Sequence, residues 1–414
     1  MLRRIALDVR PLRESPEFRR VWLGQSISFL GRRMSLVALP VQVYQLTGSP
    51  LWVGLLSLAQ FGPLITFTLV GGVFADAVDR RRLLIGTEIG MALAVVGLVV
   101  NAAIPRPQLW ACFVFGSLSW AFFSFGAGAY RSLAPRLVPP EQFAAASALN
   151  GLYAQLGAII GPAVAGVLIS QIGFSATYGI DLATSVAGFV SIVSLPALAP
   201  LGEAAQPGLR ALAEGFRFIR GQNVVLGFFL VDSLAMIFGF PQALFPALAE
   251  HVFADPQSVG FLYAAPAAGA FAAAITSGWA GAVRRQGVAI IVAILIWGAA
   301  IAAFGFARQL WLAVVLLAIA GIGDQISAIF RSTIMLTLTP DHMRGRVGGI
   351  EFAQVASTPS LGNVEAGVVA SLTSLRVSIV SGGLACVGAA VAVALLFPSL
   401  IRYDARKAAD AAAP

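Results

Sequence analysis

The chain has 414 residues, of which 58% are apolar and 11% charged, against about 45–50% and about 25% in an ordinary soluble domain. This composition excludes a water-soluble globular protein, and at roughly 20 apolar residues per crossing the length accommodates about a dozen membrane spans and no large soluble domain. The net charge is +8, and the basic residues recur in every second loop instead of forming one patch, which argues for membrane-orientation signals and against a nucleic-acid partner.

Arg3 and Arg4 precede an apolar run from about Val21 to Leu46. The run is too long for a signal peptide and has no small-residue cleavage site, so it is expected to stay as span 1. Spans 1 to 6 are predicted at 20–46, 51–75, 83–104, 109–134, 144–170 and 174–197. Spans 7 to 12 follow at 224–249, 258–282, 288–306, 310–337, 348–373 and 376–399. The expected fold is an all-α membrane protein with 12 transmembrane helices in two pseudo-symmetric six-helix bundles, 1–198 and 224–414. Between them, 199–223 is loop-like at Pro200, Gly202, Pro207 and Gly208. It continues as LRALAEGFRFIRG, where Leu209, Leu212, Phe216 and Ile219 recur at helical spacing. That run is predicted as a linker helix on the inner membrane surface, with a regulatory role as the alternative.

Of the 27 basic residues, 21 fall in the N-terminal tail, the even-numbered loops and the C-terminal tail. Basic residues near span ends stay on the cytoplasmic side, so both termini are expected there, in the cytoplasmic membrane of a bacterium. Cys112 and Cys386 lie in apolar stretches, which supports neither a disulfide framework nor a thiolate site. His251 and His342 sit at loop edges, so neither a histidine relay nor a metal site is expected.

The halves repeat. At an offset of 200, Arg131 meets Arg331, Ser132 meets Ser332, Pro140 meets Pro340 and Glu141 meets Asp341. At 206, Pro40 meets Pro246, Gly54 meets Gly260 and Gly72 meets Gly278. Parallel halves of this kind are a transporter architecture with the substrate site between them, near mid-membrane.

The loop after span 2 reads GGVFADAVDRRRLL, with Gly72, Asp76, Arg80 and Arg81 at relative positions 1, 5, 9 and 10. On this motif the chain resembles the major facilitator superfamily, whose pattern there is G-x-x-x-D-x-x-G-R-R/K; Asp79 stands where the pattern has glycine. Glycine lets helices approach closely. By resemblance Asp76 latches the outward-facing state with Arg131, whereas the alternative is that these arginines only set topology. In the second half the equivalent segment is GWAGAVRR, and Ala282 replaces the acid. Arg331 then lacks the homologous partner, with Asp341 or Glu351 as substitutes, and neutralising Asp76 is expected to cost more transport than neutralising Asp341. Span 5 holds GAIIGPAVAG, with Gly157, Gly161, Pro162 and Gly166, which resembles the superfamily's antiporter motif; Ala165 replaces one glycine. Small residues at this spacing are also a general packing device.

Charges inside spans are expensive and face a cavity or a partner. Arg32 and Arg33 lie near the middle of span 1, Asp232 in span 7, and Asp324 and Arg331 seven residues apart on span 10. In the superfamily spans 1, 4, 7 and 10 line the central cavity, so by resemblance these five residues are candidates for the transport cavity and proton coupling. Asp232 and Asp324 are placed to pair with Arg32 and Arg33 across the halves, either as working groups or as fixed ion pairs. Neighbouring helical positions diverge by about 100°, so only one of Arg32 and Arg33 is expected to act. Glu88 and Glu365 are weaker candidates.

The resemblance covers nearly the whole chain and is greatest to the enterobactin (siderophore) exporter group and related drug-efflux carriers. It implies proton-coupled export of a siderophore-like amphiphile by alternating access, with multidrug or antibiotic efflux as the alternative. A membrane enzyme would need an acid–base–nucleophile constellation, which the sequence lacks. No G-x-x-x-x-G-K-[ST] signature is present. The expected energy source is therefore the proton gradient with no cofactor, the expected partners a small-molecule substrate, protons and the bilayer, and the expected state a monomer.

Overall fold

The computed structural model describes residues 8–198 and 209–406, and all twelve predicted spans fall on helices. No strand occurs among the described residues. Span 1 is Pro16–Thr47, span 2 Pro50–Ala77, span 3 Arg80–Ala103 and span 4 Leu109–Arg131. Spans 5 and 6 share the helical stretch Phe143–Val193, divided at Gly173, where φ is 80°. A left-handed backbone is open to glycine without a Cβ clash, so this residue turns one long helix into two. Span 7 is Asn223–Phe238 continued by Phe245–His251, span 8 Ser258–Ile275, span 9 Gln286–Phe304, span 10 Leu310–Leu338, span 11 Asp341–Leu372 and span 12 Leu375–Leu396.

Among the described residues nine helices are long and apolar enough to cross a bilayer, and one of these holds both spans 5 and 6. The helices of spans 1 and 11 are outside that set. They are the two richest in charge, with Glu17, Arg19, Arg20, Arg32 and Arg33 on one and Asp341, Arg344, Arg346, Glu351 and Glu365 on the other. Charged helices in a membrane protein belong against protein or water, not lipid.

Contacts divide the chain into two compact units, Met1–Leu46 with Ala59–Gln206, and Thr47–Leu58 with Pro207–Pro414. The first turns of span 2 thus belong to the second unit, where Asn363 of span 11 donates to Ser57 Oγ at 3.0 Å. In the same unit span 7 is interrupted by Gly239 and Pro241. Trp297 Nε1 donates to the Gly239 carbonyl at 2.9 Å and Asn363 Oδ1 accepts from Ala243 N at 2.9 Å. These two side chains satisfy backbone groups that the break would leave unpaired in a region without water.

The linker run forms the helix Leu209–Gly221. It packs on the start of span 11: Arg346 pairs with Glu214 at 2.7 Å, and Ile219 is buried. Phe216, on the predicted apolar face, is exposed. Leu209 and Leu212 have side chains outside the described residues, as does the loop around Pro200, Gly202, Pro207 and Gly208.

Candidate functional site

Within the first unit, spans 1, 2, 3, 4 and 6 line an open-sided cavity of about 190 Å³. Span 1 contributes Phe29, Arg32, Arg33 and Ser35, span 3 Met91, span 4 Trp120 and Phe123, and span 6 Asp181. Both arginines reach it, contrary to the expectation from their 100° divergence. Phe29 is the reason: it stands three residues before Arg32 and four before Arg33, so it is a surface neighbour of both. The Arg33 guanidinium lies 4.7 Å from the Phe29 ring centroid and that of Arg32 lies 6.0 Å from it; Arg32 is also 5.8 Å from Phe123. Long, flexible arginine stems curl their charge onto one face from two directions.

Glu88, a weaker candidate from the sequence, and polar residues the sequence did not single out support this floor. Arg32 Nη2 donates to Gln25 Oε1 at 3.3 Å, and Gln25 Nε2 donates to Glu88 at 3.1 Å and to the Tyr130 hydroxyl at 3.1 Å. Tyr130 in turn donates to Glu88. Opposite, the buried Asp181 accepts from Ser35 Oγ at 2.5 Å, while its Oδ1 has no hydrogen-bond partner. Gln25, Glu88 and Asp181 are polar residues within apolar runs, and that position was the one signal available for Asp181.

The second unit holds the other buried charge. Arg331 of span 10 is in ion-pair contact with Asp232 of span 7, and its Nη2 lies 3.9 Å from Asp324. Asp232 is 4% exposed, whereas the Asp324 side chain is 40% exposed. Gln354 of span 11 donates to Asp232 Oδ2 at 3.0 Å, to Ser233 Oγ at 2.9 Å and to the Phe229 carbonyl at 3.0 Å. The contact partner of Arg331 is therefore Asp232 and not Asp341, while Glu351 lies near enough for its charge to act on the guanidinium. Asp232 and Asp324 lie on Arg331 of their own unit, in place of the predicted pairing with Arg32 and Arg33. Asp341 makes a surface pair with Arg344 at 2.9 Å. The repeat mates Arg131 and Arg331 also part company: Arg131 is exposed at the end of span 4, whereas span 10 runs on past Arg331 to Leu338 and buries it.

In the loop after span 2, Asp79 explains its own departure from the superfamily pattern. It caps span 3 by accepting from Arg82 N at 3.1 Å, and its other oxygen accepts from Leu198 N at 2.9 Å. Arg80 N donates to the Leu198 carbonyl at 3.2 Å and Arg81 Nη2 to the Val193 carbonyl at 2.7 Å. The motif thereby ties span 3 to the end of span 6. The side chain of Asp76 lies outside the described residues. Gly72 is not the close-packing glycine: a Cβ there would meet nothing within 4 Å, whereas one on Gly71 would strike the Phe125 backbone of span 4. In the equivalent loop of the second half, Arg284 pairs with Asp404 at 3.6 Å. In span 5, Gly157 packs on the Phe29 ring and Gly161 on the Arg33 Cβ, with Pro162 and Gly166 buried beside them. The small residues of that motif therefore bring span 5 against the arginine-bearing part of span 1.

Comparison with known proteins agrees with this architecture. The transmembrane secretion effector family profile matches residues 8–413. The enterobactin exporters EntS of Shigella boydii and of Escherichia coli are each 32% identical over 392 residues, covering 94% of this chain and 94% of theirs. The nucleoside transporter NupG superposes with a TM-score of 0.74 at 13% identity, over 94% of this chain and 100% of its own. An inward-facing bacterial homologue of the iron transporter ferroportin gives 0.69 at 13% identity, over 93% and 98%. With twelve apolar segments on helices, a duplicated half and a match along its full length, the chain belongs to the transmembrane secretion effector family of the major facilitator superfamily.

Proposed function

We propose that this protein exports a siderophore or similar amphiphilic small molecule from the bacterial cytoplasm by alternating access, as a monomer, with protons moving inward as cargo moves out. Both termini face the cytoplasm in this reading, which the concentration of basic residues in the tails and even-numbered loops supports. Similarity to enterobactin exporters supports the cargo class.

The observation that carries proton coupling is the Asp232–Arg331–Asp324 group. Arg331 keeps one deeply buried counter-ion whatever happens at the second. Asp324 is open enough to exchange a proton with water, and its charge changes the balance around a guanidinium that cannot itself be deprotonated. Arg32, Arg33 and the aromatic wall of the first unit serve cargo. Gly72, Asp76, Arg80, Arg81 and Arg131 serve the cytoplasmic gate, with Asp341 in the second half.

A deletion strain grown under iron limitation tests the cargo. Secreted siderophore is expected to fall and to return on complementation. In proteoliposomes, substrate-driven proton movement is expected for the native protein and is expected to be lost in Asp324→Asn with cargo binding retained. Unchanged secretion joined to drug sensitivity would turn the reading to multidrug efflux, which the largely apolar cavity of the first unit favours as a second possibility.

A further inference from the structure

Arg32 and Arg33 stand halfway along the helix Pro16–Thr47, and both line the cavity of the first unit. Among the described residues neither makes an ion pair with a carboxylate, and the Nε of each is buried with no hydrogen-bond partner. Of the acids in this unit, Asp181 lines the same cavity, bonded to Ser35 through one oxygen and unpartnered at the other, while Glu88 is held by Gln25 and Tyr130. Arg32 donates to Gln25 Oε1 at 3.3 Å and to the Met91 sulfur at 3.8 Å, and the remaining contacts of the guanidiniums are aromatic, Phe29 under both and Phe123 under Arg32. Ring faces attract cations but do not replace the counter-ion and hydrogen-bond acceptors that a buried guanidinium requires. The cavity therefore carries two guanidiniums against the one carboxylate of Asp181, and among the described residues Arg33 has no oxygen acceptor, which leaves room for a second anion.

The walls define the rest of the ligand. Around the arginines are Leu36, Leu39, Met91, Val95 and Trp120, and Trp120 stands edge-to-face with Phe123 at 5.7 Å. An apolar cavity of about 150 Å³ holds one benzene, so about 190 Å³ is room for one substituted ring. We propose that this cavity is a subsite for one anionic aromatic ring, an arene carboxylate or ionised phenol. Its oxygens meet Arg32 and Arg33, and its ring packs on Phe29, Trp120 and Phe123. This deepens the export reading and rests on it for the origin of the ring, which is either a free aryl acid or one arm of a larger molecule.

Salicylate titrated into the purified native protein, followed by calorimetry and by tryptophan fluorescence, tests the subsite. Saturable binding is expected, at least tenfold tighter than that of benzyl alcohol, which has no charge, and several-fold tighter than that of cyclohexanecarboxylate, which has no ring face. Arg32→Gln and Arg33→Gln are each expected to weaken it tenfold or more. Ser119→Leu, which fills the cavity from span 4 without touching a charge, is expected to abolish it with helicity and melting temperature unchanged. Equal binding of benzyl alcohol or of cyclohexanecarboxylate, or undiminished binding in a folded Ser119→Leu protein, would overturn the proposal. Displacement of salicylate by the strain's own iron-free siderophore supports an arm as the occupant, and its absence supports a free acid. Salicylate binding with no siderophore export in cells would overturn the export reading alone; export with no salicylate binding would overturn the subsite alone.

Discussion

Asp232 and Asp324 carry the same charge toward the same guanidinium, yet burial gives them different energetic roles. Removing one member of a buried pair leaves an uncompensated ion, at a cost of about 3–5 kcal/mol, whereas an ion pair near 4 Å with a partner 40% exposed is worth about 1 kcal/mol or less. Asp232→Asn is therefore expected to lower the melting temperature in detergent sharply, and Asp324→Asn to leave it nearly unchanged. Equal shifts would contradict the assignment of Asp232 as the structural counter-ion. At Asp79 the expectation is smaller. Replacing a capping aspartate by alanine costs about 1 kcal/mol, and the Leu198 amide loses its acceptor as well. Asp79→Ala should thus destabilise modestly, with the change seen as faster amide exchange at the start of span 3.

At the scale of helices, glycine positions separate close packing from open space. Gly161→Leu drives a branched side chain into the Arg33 stem and span 1 backbone, where overpacking costs about 1–3 kcal/mol. Its yield of folded protein is expected to fall, while Gly72→Ala is expected to match the native protein in yield and melting temperature. A reversal of the two would show that the motif glycine, not the span 5 glycine, carries the contact. The linker helix is held by Arg346–Glu214, half-exposed on both sides, so Arg346→Ala is expected to cost under about 1 kcal/mol and to raise protease cleavage near 209–221.

For the whole molecule, reagents that label only one face of the membrane check the topology: cysteines placed at either terminus are expected to react from the cytoplasmic side alone. Much of the fold was legible because a bilayer leaves so few solutions. Every backbone group must be paired within the span, so apolar length by itself marks a helix, and all twelve marked segments are helical. The candidate site was legible only in part. Charges in apolar runs drew attention to Arg32, Arg33, Asp232, Asp324 and Arg331. Asp181 and Gln354 drew none, because a single polar residue in a long span looks the same in sequence whether it faces a cavity, a neighbour or a turn of its own helix.

Segment length and composition therefore determined from the sequence alone that this is an all-helical membrane protein, and the repeat and motifs that it resembles a carrier, since each depends on residues close together in the chain and on a uniform apolar solvent. Which arginine meets which acid depended on the tertiary structure. Asp232 and Arg331 are separated by two spans in sequence, a shift of one residue turns a helical side chain by about 100°, and only the packed helices select the partner that a buried charge obtains.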